Sequence, residues 1–196
     1  MFELGFKNTE DVIQFRSCPS LECKVFHMEI YNAFLKNQDF WKSLNEQGYQ
    51  KCLIVQDDGM LIHGKTLEPF LQYDYVGAPW TDVVDNKNIK EYINSELVGN
   101  GGFSLRSKKF LDVPTKVEVP WETNNSDFYW MPEGVVNYHE DGNVCVHNRH
   151  IFIEQGCKYA PVEVAVRFSQ ETRVPECEGI TPFGFHYRLP PGVELE

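Results

Sequence analysis

Long apolar runs are missing from this chain: no uninterrupted hydrophobic stretch approaches the roughly 20 residues that a helix needs to cross a bilayer. The opening segment carries Glu3, Lys7 and Glu10 and has no apolar centre of the signal-peptide kind, so the expected location is the cytoplasm. Basic residues are scarce as well, with 18 Lys and Arg against 29 Asp and Glu and a formal net charge of −11. The longest basic run is Lys108-Lys109. A nucleic-acid partner is therefore not expected, because neutralising a phosphate backbone needs a surplus of cations on one face. A small anionic ligand would have to be held through a metal cation or a few placed side chains.

Cys-x-x-Cys pairs are absent too. The six cysteines, Cys18, Cys23, Cys52, Cys145, Cys157 and Cys177, lack zinc-finger spacing, which argues against a structural zinc. An even count permits three disulfides, but reduced thiols are the expectation for a chain without a secretion signal. Internal repeats and low-complexity segments are likewise missing.

What is present is enough for one domain with a core. The 196 residues are 42% hydrophobic and 24% charged, outside the range of disordered or fibrous chains. Apolar residues Tyr31, Phe34, Leu35, Trp41 and Leu44 share one helical face over 31–45, and Gly48 marks the stop. Cys52-Leu53-Ile54-Val55 reads as a buried strand that breaks off at Gln56-Asp57-Asp58-Gly59, with Cys52 as core packing. Residues 67–71 read as a short helix, 73–77 as an aromatic strand and 81–96 as an exposed connection. Phe103-Ser104-Leu105 reads as a strand and Ser107 as the cap of a helix through Leu111. Residues 114–132 read as a loop, and the stretch from His139 to Gln155 as partly helical. The alternation of Val162, Val164, Val166 and Phe168 predicts a strand over 160–168. Strands alternating with helices point to an α/β sheet of mixed pairing.

Three breaks in this pattern carry polar groups suited to chemistry. The Asp57-Asp58 turn offers hard carboxylate oxygens for Mg²⁺ or Mn²⁺, although Asp and Gly also favour turns for backbone reasons alone. Gly99-Asn100-Gly101-Gly102 can bring backbone N–H groups close to a ligand, or be a tight loop; it lacks the Lys-Ser/Thr of a phosphate loop. Arg106 nearby can meet a phosphate or be a surface charge. Glu140-Asp141 offers a base for an attacking hydroxyl, or an acidic helix start favoured by the helix dipole. His186, in an aromatic and glycine-containing segment, is either a packed histidine or a metal ligand.

The order of these motifs adds a resemblance. Tyr31-Asn32, Phe40-Trp41, Gln56-Asp57-Asp58, Tyr73-Asp74-Tyr75-Val76-Gly77-Ala78-Pro79-Trp80, Val98-Gly99-Asn100-Gly101-Gly102-Phe103-Ser104-Leu105-Arg106-Ser107, Glu140-Asp141 and Pro182-Phe183-Gly184-Phe185-His186 together resemble a glycosyltransferase-like family of microbes and large viruses, long catalogued as a domain of unknown function. That family is similar in turn to A-type-fold glycosyltransferases. The resemblance runs over 31–187 and implies a single Rossmann-like α/β domain over 1–196, with a mixed, mostly parallel central sheet. Residues 1–30 would be an abbreviated nucleotide-binding start and 189–196 a tail.

The same resemblance implies a metal-dependent hexosyltransferase moving a sugar from a UDP- or GDP-sugar to a glycan or other hydroxyl acceptor, with inversion. Asp58 and His186 would hold Mn²⁺ or Mg²⁺, and Gln56 stands where the first Asp of an Asp-x-Asp motif would be. Asp141 would be the catalytic base with Glu140 beside it. Asp57, Gly101, Gly102, Arg106 and Trp80 would line the donor and acceptor pocket. Two other readings stay open at this point: a non-catalytic nucleotide-sugar or glycan-binding module, and an interaction domain presenting Trp121 and Trp130. Further domains in a longer protein are compatible with either.

Overall fold

The structure, a computed structural model, describes residues 32, 35–56, 58–62, 64–80, 98–120, 140–171 and 175–187. Residues 1–30 and 189–196, the 81–96 connection, Asp57, Trp121 and Trp130 lie outside them.

The helical periodicity over 31–45 appears as α1 (Gln38–Glu46). Trp41 anchors it: the ring is buried, and its indole N–H donates to the Leu35 carbonyl at 2.8 Å. After Gly48 the chain enters β1 (Lys51–Val55), then β2 (Gly59–Leu61), β3 (Tyr75–Val76) and β4 (Phe103–Ser107). A short 3-10 turn, Glu68–Phe70, stands where a helix over 67–71 is expected. Ser107 caps α2 (Lys108–Leu111) as its sequence position suggests, its hydroxyl accepting from the Phe110 N–H at 3.1 Å. There follow α3 (Val113–Lys116), α4 (Glu140–Gly142) running into a π-helical turn at Asn143–His147, and α5 (Arg149–Glu154). The described part ends with α6 (Val162–Phe168), β5 (Ser169–Gln170), a 3-10 turn at Pro175–Cys177 and β6 (Gly184–His186).

The expected Rossmann-like, mostly parallel sheet is not what forms. Two three-stranded sheets form instead, ordered β1-β4-β3 and β2-β6-β5. The β1–β4, β3–β4 and β2–β6 pairs are antiparallel, and β5–β6 is parallel. Only residues 56–58 join β1 to β2, too few for the parallel crossover of a dozen residues or more, and the two strands part into different sheets. The segment 160–168 is corrected too: its valine alternation belongs to a helix, α6. Pro161 precedes the first turn and its carbonyl accepts from Ala165 at 2.9 Å. Ala165, Val166 and Phe168 are buried there, so tertiary packing overrides the β preference of the valines.

β4 is the central strand and is buried along its whole length. Its side chains alternate as a pleat requires. Phe103 and Leu105 enter an aromatic cluster with Phe70, Phe168 and Phe183, while Tyr75, Phe110 and Phe152 form a second cluster. Each large apolar side chain so buried contributes about 1.5–3 kcal/mol. The two sheets meet where Gly184 lies against the Phe103 ring and 2.8 Å, measured from where its Cβ would be, from the Met60 carbonyl. That close approach brings the carboxyl end of β1, the amino end of β4 and the carboxyl end of β6 to one corner.

Candidate functional site

At that corner the backbone is fixed first. The Gln56 N–H donates to the Gly102 carbonyl at 2.8 Å, and the Gly59 N–H to the Gln56 carbonyl at 2.9 Å. The turn after β1 is thereby clipped to the turn before β4. On the other side, β2 and β6 are registered with Gly59 opposite His186, and the Tyr187 N–H continues the ladder to the Asp58 carbonyl at 3.2 Å. Tyr187 itself holds a φ of 69°, a left-handed conformation that costs a non-glycine residue roughly 1–3 kcal/mol and clusters at functional sites.

The glycine turn is held from behind. Gly99 and Asn100 donate N–H groups to the Ala78 carbonyl, and the Tyr75 hydroxyl donates to the Gly99 carbonyl at 2.7 Å. The Gly101 N–H donates to Asp141 Oδ2 at 2.9 Å, and the Gly142 N–H to Asp141 Oδ1 at 2.7 Å. Asp141 therefore faces the turn with each oxygen accepting one backbone bond. The π-helical turn that follows belongs to a class of helix irregularity frequent at functional sites.

Asp58 and His186, 128 positions apart in the chain, meet here: Asp58 Oδ1 lies 3.0 Å from His186 Nε2. The carboxylate is half-exposed, whereas the imidazole is nine-tenths buried. Despite the short separation, His186 Nε2 has no hydrogen bond among the described residues. The other ring nitrogen, Nδ1, sits 3.1 Å from Glu171 Oε1. Burial pushes the imidazole down, but the hydrogen bond and charge of Glu171, with Asp58 and Asp141, outweigh it and hold His186 above the usual histidine range. Among the described residues no group of three or more His, Cys, Asp and Glu side chains is placed to hold a metal ion. The protein side of any cation site built on Asp58 and His186 thus contributes few charged ligands.

Not every expected site residue opens onto this corner. Arg106 does not reach for a phosphate; it is buried and pairs in bidentate fashion with buried Glu140, its second N–H donating to Glu140 Oε2 at 3.2 Å. Glu140 is correspondingly committed to Arg106 and not to an acceptor, with burial pushing its carboxyl up against the downward pull of that guanidinium. The sequence signal for Arg106 was ambiguous because it shares the buried strand with Ser104, whose hydroxyl it also meets at 3.2 Å. Trp80 packs at the start of the glycine turn, where a Cβ on Gly99 would lie 2.6 Å from its ring. Asp57 lies outside the described residues.

Glu171 is the residue that the motifs did not single out, and Asn100 stood only as a member of the glycine turn, without a role for its side chain. Asn100 accepts from the Gly102 N–H at 3.1 Å and donates to Glu171 Oε2, so the glycine turn and His186 are joined through two side chains. Cysteine chemistry is not favoured here: the described cysteines are free, and burial raises the Cys52 and Cys145 thiols and pushes Cys157 up to about 11.

Residues 13–186 match the model of a family described as a protein of unknown function (DUF5672). No curated protein matches, and no solved structure matches. The likeness to A-type glycosyltransferases is corrected by this finding: the match carries no relationship to a glycosyltransferase, and the Rossmann-like sheet on which that kinship would rest is not formed. No helix among the described residues is long and apolar enough to cross a membrane.

Proposed function

The chain belongs to the DUF5672 family, whose description assigns no activity, and we propose from the chemistry of the corner that it is a divalent-metal-dependent glycosyltransferase using a nucleotide-diphosphate-sugar. The observation that carries this reading is the 3.0 Å approach of Asp58 Oδ1 to a His186 Nε2 that makes no hydrogen bond among the described residues. A carboxylate oxygen and an imidazole nitrogen this close would serve as two ligands of one cation. One carboxylate and one imidazole suit Mn²⁺ or Mg²⁺, whose remaining positions are commonly taken by water and substrate phosphates. When bound, such an ion supplies positive charge against the leaving diphosphate, which a chain of formal net charge −11 otherwise lacks.

The chain's own residues divide the remaining work. Asp58 and His186 would hold the cation. Gly101 and Gly102 let the donor approach the backbone closely, and Trp80 walls the start of that turn. Asp141, fixed by two backbone N–H groups, keeps carboxylate lone pairs free to take the proton of an attacking hydroxyl on a glycan or other acceptor. Attack from the face opposite the leaving group inverts the anomeric centre. We place this activity in the cytoplasm, a compartment in keeping with the free thiols of the described cysteines.

A second reading, a nucleotide-sugar or glycan-binding module without turnover, is favoured by one observation: both Asp141 oxygens already serve as clamps on backbone N–H groups. A panel of UDP-, GDP- and dTDP-sugars with Mn²⁺ and hydroxyl acceptors separates the two. Transfer, or metal-dependent release of free nucleotide, supports the enzyme; saturable binding with no release supports the module. No binding of any donor with Mn²⁺ present rejects both.

A further inference from the structure

We infer that Tyr187 is a platform for the acceptor: the apolar face of a neutral sugar ring rests on its phenol ring, and the Asp58 carboxylate beside it takes hydroxyls at the edge of that sugar. The inference rests on the proposed transferase reading and names its acceptor class, a glycan that presents a pyranose face.

Tyr187 has a φ of 69°, and every other positive φ among the described residues belongs to a glycine. A bulky side chain in that conformation is a steric outlier, whereas glycine adopts it freely. Such strain persists only where the surrounding structure holds it. Here it is held by the Gly59–His186 pairing and by the Tyr187 N–H, which donates to the Asp58 carbonyl at 3.2 Å.

Burial offsets little of that strain. Phe185 and His186 just before it are buried, but Tyr187 is 63% exposed, more than any other large hydrophobic side chain among the described residues. Val55, also exposed, stands nearby, its Cγ1 3.1 Å from where a Cβ on Gly59 would lie. A rigid aromatic ring left in solvent beside convergent polar groups is the kind of surface on which ligands settle.

The chemistry on either side of the ring sets the ligand. Carried one step past Gly59 and His186, the strand register sets Tyr187 opposite Asp58. Directly opposed residues start about 5 Å apart at Cβ, so the phenol ring and the half-exposed carboxylate border the same opening. The charge of Asp58 is met by the imidazole 3.0 Å away, or by a cation held with it. What the carboxylate offers a further ligand is therefore hydrogen-bond acceptance and not an unmet charge. A pyranose ring matches both halves, with C–H groups on one face for the aromatic ring and hydroxyl donors around its edge.

The test labels the full chain with 3-fluorotyrosine and identifies the Tyr187 fluorine signal by its loss in Tyr187→Phe. Methyl β-glucoside, methyl β-galactoside and methyl α-mannoside are titrated in turn, and uridine separately. The Tyr187 signal should move saturably with at least one glycoside and not with uridine. Saturation transfer from protein to that glycoside should show Tyr187→Phe binding as wild type does, and Tyr187→Gly binding at least about fivefold more weakly. Tyr187→Gly should also melt no lower than wild type, because glycine relieves the strain. Unchanged glycoside binding in Tyr187→Gly overturns the platform, and so does a signal moved by uridine alone, which gives the ring to a nucleobase. Should Tyr187→Gly fold poorly, the wild-type fluorine signal decides: no response to any glycoside overturns the inference. If donor and Mn²⁺ give transfer while Tyr187 stays unmoved by glycosides, the transferase reading stands without the platform. If glycosides bind at Tyr187 and no donor is bound or turned over, the platform stands and that reading falls.

Discussion

Glu171 Oε1 lies 3.1 Å from His186 Nδ1, and this contact orients the imidazole so that its other nitrogen faces Asp58. A carboxylate on the far nitrogen of a ligating histidine fixes the tautomer and raises the basicity of the ligand. On the proposed reading of His186 as a cation ligand, Glu171 is a positioning residue. Glu171→Ala should weaken Mn²⁺ binding about 10–100-fold, as loss of such partners does elsewhere, with Glu171→Gln recovering part of it. Equal Mn²⁺ affinity in all three proteins, read by titration, would remove that role.

Gly102 is the second point of leverage. A methyl group there would overlap the edge of the His186 ring, whose backbone is held by the β6 pairing, as well as the end of the Gln56 side chain. Gly102→Ala should cost about 1–3 kcal/mol in urea unfolding, as overpacking does, and should abolish any thermal stabilisation by Mn²⁺. A variant that retains the full Mn²⁺ shift would show that the space beside His186 is not the site.

The Arg106–Glu140 pair predicts a stability effect and not a binding one. Arg106→Met leaves a buried carboxyl without its guanidinium, which should destabilise the fold by about 3–5 kcal/mol. Adding Glu140→Leu should recover most of the loss, because an apolar pair of similar volume removes the stranded charge. Chemical denaturation of the single and double variants measures this. No recovery in the double variant would mean that Arg106 acts through its other neighbours, the Tyr75 ring among them.

Asp141→Asn is the test of the base. The amide retains shape but cannot accept a proton, so donor binding should persist while transfer falls by about two orders of magnitude or more. Transfer at the wild-type rate would withdraw the assignment.

Acid–base behaviour gives two opposite slopes from one residue. His186 is held above its ordinary value of 6.5, so the folded metal-free protein binds a proton that the unfolded chain gives up first. Its contribution to stability is full below 6.5 and is lost as pH rises through the raised folded value. Mn²⁺ affinity should run the other way and improve with rising pH, because a ligating imidazole must be neutral. Denaturation and Mn²⁺ titration across pH 5–8, repeated on His186→Gln, check both; a flat stability profile in wild type would contradict the charged imidazole.

Part of this was decided by the sequence alone. The run Cys52-Leu53-Ile54-Val55 and the Phe103-Ser104-Leu105 segment announce strands because their apolar content and bounding turns are local properties. Ser107 announces its cap for the same reason, since a hydroxyl three residues before an amide closes its bond within one turn. The polar breaks at Asp58, Gly101-Gly102, Asp141 and His186 were legible as candidates. What tertiary structure decided was direction and company. The mostly parallel sheet gave way to antiparallel pairs, and valines spaced by two became the helix α6 once packing against Phe103 and Phe183 was available. Arg106 became an internal ion and Glu171 a site residue for a related reason. Glu171 follows the parallel pair Gln170–Phe185, so strand register, and no motif, sets it beside His186. Periodicity within a segment is fixed by neighbours along the chain; which segments meet, and in what register, is fixed by the burial that all of them share.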